Sequence, residues 1–138
     1  MPQTETHLEA LGRHCIIEYY GCPEDVLNDV AHIEKSMCAA AVEMRATIVA
    51  SEFHHFSPHG VSGMVIISES HLSIHTWPEF GYAAVDVFTC GEVIEPWHAH
   101  QLLKKAFQCQ RDSVMELRRG MLNVPDGTVP TEYAIKPE

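Results

Sequence analysis

The sequence predicts a two-layer α/β sandwich (α+β class), a mainly antiparallel sheet with two helices on one face, and three observations carry that prediction. Stretches rich in β-formers, punctuated by Gly and Pro, follow the order strand, helix, three or four strands, helix, strand. Apolar residues recur at helical three- and four-residue steps in two stretches. No long linker or low-complexity tract interrupts the 138 residues, so residues 1–138 read as a single domain around one core.

The first strand is His14 to Tyr20, stopped by Gly21, Cys22 and Pro23. Asp25 then caps a helix with Val26, Val30, Ile33, Met37, Ala41 and Met44 on one stripe and Glu34, Lys35 and Glu43 facing elsewhere. Thr47 to Phe53 is a second strand, Pro58-His59-Gly60 a loop, and Met64 to Ile67 an apolar run leading to a hairpin bend at Ser68-Glu69-Ser70. In Ser70 to Thr76, the two-residue period puts Leu72 and Ile74 on the core face and His71, Ser73 and His75 on the other. Pro78 and Gly81 end that strand, and Tyr82 to Thr89 forms the next, finishing at Cys90-Gly91. Glu95 and Pro96 open a second helix whose stripe is Ala99, Leu102, Leu103, Ala106 and Phe107. Ser113 to Leu117 is a last short strand, and the Pro-, Gly- and Thr-rich tail from Asn123 lies over the surface. Two helices cover one sheet face only. The bare face or its edge is therefore expected to meet a second subunit, giving a homodimer.

Composition narrows the partners. Lys plus Arg number 9 against 19 Asp plus Glu, a formal charge of −10, which disfavours nucleic acid and anionic lipid. Ten histidines make that charge depend strongly on pH near 6.5. Met1 to His7 has neither the basic nor the apolar region of a signal peptide, and no run approaches the roughly 20 apolar residues that span a bilayer. A cytoplasmic location is expected. Cys15, Cys22, Cys38, Cys90 and Cys109 are odd in number and lack CxxC spacing, so reduced thiols are expected rather than a disulfide framework or zinc ribbon.

The chemistry concentrates between Ile66 and Glu79, where hydroxyls, imidazoles and carboxylates crowd a β-forming run. A serine at a tight bend, as Ser70 is read to be, can attack the preceding carbonyl and turn the Glu69–Ser70 amide into an ester. β-Elimination of that ester leaves dehydroalanine, which hydrolyses to a pyruvoyl group at a new N-terminus. The alternative is that Ser68 and Ser70 are turn residues bonded to their own backbone. His75 can serve as the base for elimination, or be a hydrogen-bonded structural histidine. Cys90, before Gly91, can be a proton donor at a pocket or a small core residue. A metal set drawn from His71, His75, His54, His55 and Cys90 is disfavoured. His71 and His75 share a face but stand about 13 Å apart along a strand, too far to chelate one ion.

Beyond these residues, the sequence resembles the short, bacterial-type S-adenosylmethionine decarboxylases from about Leu11 to Phe107. The matching motifs are Leu11-Gly12-Arg13-His14, Ala46-Thr47-Ile48-Val49, His55-Phe56, Gly60-Val61-Ser62-Gly63, Ile67 to Leu72, Ile74 to Glu79 and Tyr82 to Gly91. The resemblance implies a proenzyme that cleaves itself between Glu69 and Ser70 into a β chain (1–69) and an α chain (70–138) headed by pyruvoyl. It implies self-processing roles for His75 and Ser62, and makes Cys90 the catalytic proton donor. Phe56 is expected to stack on adenine, Glu79 to bind the ribose hydroxyls and Trp77 to line the pocket. The substrate amine would form a Schiff base with the pyruvoyl ketone, which accepts the electrons released as carbon dioxide leaves. The product would supply aminopropyl groups for spermidine. Decarboxylation of arginine or ornithine on the same fold, or a non-enzymatic metal- or partner-binding domain, are the competing functions.

Overall fold

The computed structural model describes residues 6–68, 70–91 and 94–125. Its elements are β1 (Thr6–Tyr20), α1 (Glu24–Leu27), α2 (Val30–Glu43), β2 (Ile48–His55), β3 (Val61–Ile67), β4 (Ser70–Trp77), a 3-10 turn (Pro78–Phe80), β5 (Tyr82–Cys90), α3 (Pro96–Ala106) and β6 (Arg111–Pro125). The strands form one antiparallel sheet in the order β2-β3-β4-β5-β1-β6. The first strand thus lies between the fifth and the last.

Alternation along each strand decides the layers. Ile17 and Tyr19 on β1, Leu72 and Ile74 on β4, and Val85 and Val87 on β5 point to one side and are buried. Ile33, Met37 and Ala41 of α2 and Leu103 of α3 close over them as one apolar core. Each such side chain contributes about 1.5–3 kcal/mol by leaving water; Leu72→Ala would cost about 2–5 kcal/mol at the centre of the sheet. The opposite face is uncovered among the described residues. Ile16, Met64, Ile66, Met115 and Leu117 stand there, each more than a third exposed. No helix among the described residues is long and apolar enough to cross a membrane.

The two-layer architecture matches the expectation, with three corrections. The helix predicted from Asp25 to Met44 is two helices, because Asn28 leaves the helical path (φ −97°, ψ 1°) and Asp29 starts afresh. The Asp29 side chain accepts the His32 N–H at 3.1 Å, so Asp29 is the N-cap that Asp25 was expected to be. Leu27 rather than Val26 becomes the buried residue of the short first turn. The first and last strands are also far longer than expected, pairing from Tyr20↔Arg111 to Thr6↔Pro125. β6 runs past the expected end at Leu117 through Arg118, Arg119 and Gly120, because an edge strand can pair on one side while its charged side chains stay solvated. Asn123 to Pro125 belong to β6, and the rest of the predicted tail lies outside the described residues. Finally, Ser70 pairs with Ile67 and is already the first residue of β4, so the bend is tighter than Ser68-Glu69-Ser70. Glu69 lies outside the described residues.

Candidate active site

The β3–β4 register sets Ser62 opposite His75 on the uncovered face. The serine hydroxyl and His75 Nδ1 are hydrogen-bonded at 2.9 Å. Around this pair opens a cavity of about 270 Å³ lined by Phe56, His59, Gly60, Ser62, His75, Thr76, Trp77 and Glu79. Phe56 reaches it from the loop after β2, and Glu79 from the 3-10 turn that Gly81 ends at φ 60°. Trp77 is held by a stack running across four strands. Its ring lies 5.4 Å from Tyr82, which lies 5.5 Å from Tyr20, and the Arg111 guanidinium caps Tyr20 at 4.4 Å. Tyr82 donates to Glu18 Oε1 at 2.6 Å; burial, then that carboxylate, push its phenol up to about 12. Phe56, Ser62, His75, Trp77 and Glu79 are therefore one group.

Ser70 and Cys90 form another. Ser70 is buried at the start of β4, and its Oγ accepts the Cys90 backbone N–H at 3.1 Å. Five residues of strand separate Ser70 from His75, about 16 Å at 3.3 Å per residue. One chain thus carries the predicted site as two halves at opposite ends of β4. Next to Cys90, the fully buried Thr89 hydroxyl has no hydrogen-bond partner among the described residues.

Between the halves lies a cluster that the sequence did not single out. Asp86 Oδ2 accepts from His14 Nε2 (2.5 Å) and His71 Nε2 (3.2 Å), and its Oδ1 accepts from the Ser73 hydroxyl. Burial alone would raise this carboxyl, but the hydrogen bonds from Ser73, His14 and His71 outweigh it and hold Asp86 below the usual carboxylate range. The three ligand-type atoms lie within 4.8 Å of one another, as a metal site would require. However, Arg119 Nη1 faces His14 Nδ1 at 3.4 Å, and an arginine can only donate. A metal on Nε2 would need that Nδ1 to carry hydrogen and find an acceptor. The cluster is arranged for protons rather than a cation. The other histidines of the disfavoured metal set are dispersed as well: His55 bonds Asn28 at 3.0 Å, and His54 packs against Phe56 with ring centroids 4.5 Å apart. Polar residues at His14 and Asp86 on otherwise apolar strands were the only signal for this cluster; their meeting depends on the β1–β5 register, which sets Ile16 opposite Asp86.

An imidazole–hydroxyl pair in an open cavity on a sheet face, with a buried serine and a cysteine together at the far end of β4, fits an enzyme acting on a small molecule. Comparison with known proteins makes the class specific: the chain belongs to the S-adenosylmethionine decarboxylase family, whose pattern it matches over residues 13–120. It is 57% identical over 113 residues to a Thermotoga petrophila S-adenosylmethionine decarboxylase proenzyme, covering 82% of this chain and 87% of that one. It is 52% identical over 134 residues to the proenzyme of Fervidobacterium nodosum, covering 92% and 98%. The crystal structure of the Aquifex aeolicus adenosylmethionine decarboxylase is similar with a TM-score of 0.79 and 31% identity, over 87% of this chain and 99% of that one.

Proposed function

We propose that this chain is an S-adenosylmethionine decarboxylase proenzyme which cuts itself between Glu69 and Ser70, leaving a β chain (1–69) and an α chain (70–138) whose first residue, once Ser70, is a pyruvoyl group. The observation that carries the reading is the place of Ser70: buried, first in its strand after a tight hairpin bend, with Oγ fixed by Cys90 N–H at 3.1 Å. That hydrogen bond holds the oxygen in place while leaving a lone pair for the neighbouring carbonyl. Attack by Ser70 Oγ on the Glu69 carbonyl carbon breaks the C–N bond and frees the amine of residue 70. Removal of the residue 70 Cα proton then expels Glu69 as a carboxylate, and water replaces the nitrogen, which leaves as ammonia. The base is the Ser62–His75 pair.

The same position suits the group that processing leaves there. A pyruvoyl ketone supplies an acceptor for the electrons released when a substrate carboxylate departs. The surrounding residues do the rest: Cys90, adjoining Ser70 through its backbone, delivers the proton; Phe56 and Trp77 offer aromatic faces to an adenine; Glu79 accepts hydrogen bonds from ribose hydroxyls. A cytoplasmic enzyme fits five cysteines that are all thiols.

Since Ser62 and His75 stand about 16 Å along the strand from Ser70, the reading includes a homodimer with its uncovered faces together. A twofold axis through the middle of the face would bring Ser62 and His75 of one protomer to the end of the other's sheet where β4 starts at Ser70 and β5 ends at Cys90. Two measurements test the whole. Intact mass under denaturing conditions should show two fragments split at Glu69–Ser70, and carbon dioxide should be released from carboxyl-labelled S-adenosylmethionine rather than from arginine or ornithine. A chain that stays whole on long incubation, or no release from S-adenosylmethionine, refutes it.

A further inference from the structure

The break between α1 and α2 has a tertiary partner. Asn28, the residue at the break, turns its side chain onto the loop that carries Phe56. Its Oδ1 accepts the Gly60 N–H at 2.9 Å and the His55 Nε2–H at 3.0 Å, one donor from each stem of the loop. Its Nδ2 points at the Pro58 carbonyl at the tip, 3.5 Å away. The loop closes on itself through Phe56 N–H to the Gly60 carbonyl at 2.8 Å. Gly60 sits at φ 109°, a conformation that favours glycine and turns its N–H toward Asn28.

The neighbouring residues fasten the same short segment to the rest of the cavity. Thr76 donates to the Leu27 carbonyl at 2.9 Å and accepts the Val61 N–H at 2.9 Å, both buried, beside Ser62 and His75. Cys22 N–H donates to the Gly81 carbonyl at 3.0 Å, behind the turn that holds Glu79. Residues 22–28 therefore bracket the cavity, tied to its acidic turn, its strand wall and its aromatic loop. Of these ties only those to the aromatic loop run through side chains of the segment itself: the three contacts of Asn28, and an exposed ion-pair contact of Glu24 with His59 Nδ1 at 3.9 Å, which is worth little.

We infer that Asn28 is a positioning residue for substrate binding: it fixes the 56–60 loop so that Phe56 presents its ring to the flat base of the substrate. The inference rests on the proposed substrate reading. Phe56 is nearly half exposed, and its ring has only the His54 edge beside it among the described ring contacts. Without Asn28, the loop would keep its internal Phe56 N–H to Gly60 bond and the exposed Glu24–His59 contact but lose its hydrogen bonds to the helix break, so that part of the ordering of the ring would fall to the substrate. Self-cleavage, which takes place at Ser70, does not draw on this loop.

The test compares Asn28→Ala and Asn28→Asp in the processed enzyme. Losing both bonds to Oδ1 should raise the KM for S-adenosylmethionine about tenfold, with kcat changed less than twofold and self-cleavage intact. Aspartate keeps the acceptor for Gly60 and His55, so its KM should stay within about twofold of wild type. Hydrogen exchange supplies a readout that needs no substrate: amides of residues 56–61 should exchange faster in the alanine variant and as wild type in the aspartate variant. Unchanged KM and unchanged loop exchange in Asn28→Ala would overturn the inference, as would an equal fall of kcat in both variants. Should the alanine variant not fold, Asn28→Ser, whose hydroxyl is too short to reach Gly60, carries the same outcomes. Failure of the wild type to turn over S-adenosylmethionine would instead end the substrate reading, leaving the exchange result to judge Asn28.

Discussion

Mixing two inactive variants should restore cleavage to one of them. A general base must come within about 2.6–3.2 Å of the proton it removes, directly or through one water. The strand rise puts His75 about 16 Å from Ser70 in the same chain, some five times that reach. His75→Ala and Ser70→Ala should each stay whole when made alone. In a mixed dimer of the proposed kind, the His75→Ala chain keeps its own Ser70 and receives His75 from the Ser70→Ala chain, so it can cleave. The other site lacks both residues. With equal expression and random pairing, about half of all dimers are mixed, so about half of the His75→Ala chains should be cut and no Ser70→Ala chain. Intact-mass measurement of the co-expressed proteins reads both fractions at once, because the two chains differ in mass. Absence of any cut His75→Ala chain in a preparation shown to contain mixed dimers would refute the two-protomer site. Cleavage of His75→Ala on its own would refute its role as base.

Three further outcomes follow. Cys90→Ala should still cleave, because the Cys90 backbone N–H that holds Ser70 is kept, but should lose most turnover in the carbon dioxide assay. Asp86→Asn keeps an oxygen for Ser73 but replaces the one that accepts from His14 and His71 with an amide that can only donate, and should lower stability by about 2 kcal/mol near neutral pH, measured by urea unfolding. Because the folded Asp86 pKa is depressed, its contribution is present above the unfolded carboxylate value of about 3.9 and is lost as pH falls through the folded value. The Asn variant should therefore lose less stability than wild type on acidification below pH 4, and an equal loss would contradict the assignment. On the helix side, His100 is buried, accepts from the Tyr19 hydroxyl at Nδ1 (2.8 Å) and donates from Nε2 to Asp112 (2.9 Å). Burial, partly offset by Asp112, lowers its pKa, so protons favour the unfolded chain below about pH 6.5. Melting temperature should fall as pH drops through that value, and less steeply in His100→Gln.

Much of this was legible in the sequence, and the exceptions share a cause. The face assignment on β4 needs only a two-residue period, and Leu72 and Ile74 are buried while His71 and His75 are not. The Glu95–Pro96 helix start is local chemistry too, and the Glu95 side chain does accept the Trp97 N–H at 3.1 Å. The break at Asn28 is different. Apolar spacing runs through it undisturbed, and the residue that interrupts the helix does so for partners at His55 and Gly60, some thirty positions on. The His14–Asp86–His71 cluster likewise exists only once β1 is inserted beside β5. The separation of Ser70 from His75, by contrast, was open to reading all along. The same rise per residue that rules out a shared metal for His71 and His75 also parts the serine from its base.

The uncovered face is suited to closure by a second copy, which bears on why its polar centre is built as it is. Covering an unpaired carboxylate would cost several kcal/mol. Both Asp86 oxygens are already occupied, by Ser73 on one side and by His14 and His71 on the other, so an opposing sheet would strand no charge there. Around that centre, Ile16, Met64, Ile66, Met115 and Leu117 are partly exposed, and completing their burial would contribute about 1 kcal/mol each per protomer. The attraction is thus spread around a satisfied polar core rather than through it. The two half-sites lie at opposite ends of β4, Ser62 and His75 on this face and Ser70 at the strand's start on the core side with Leu72, so in the proposed dimer the symmetry that buries the apolar ring would also bring the two strand ends together.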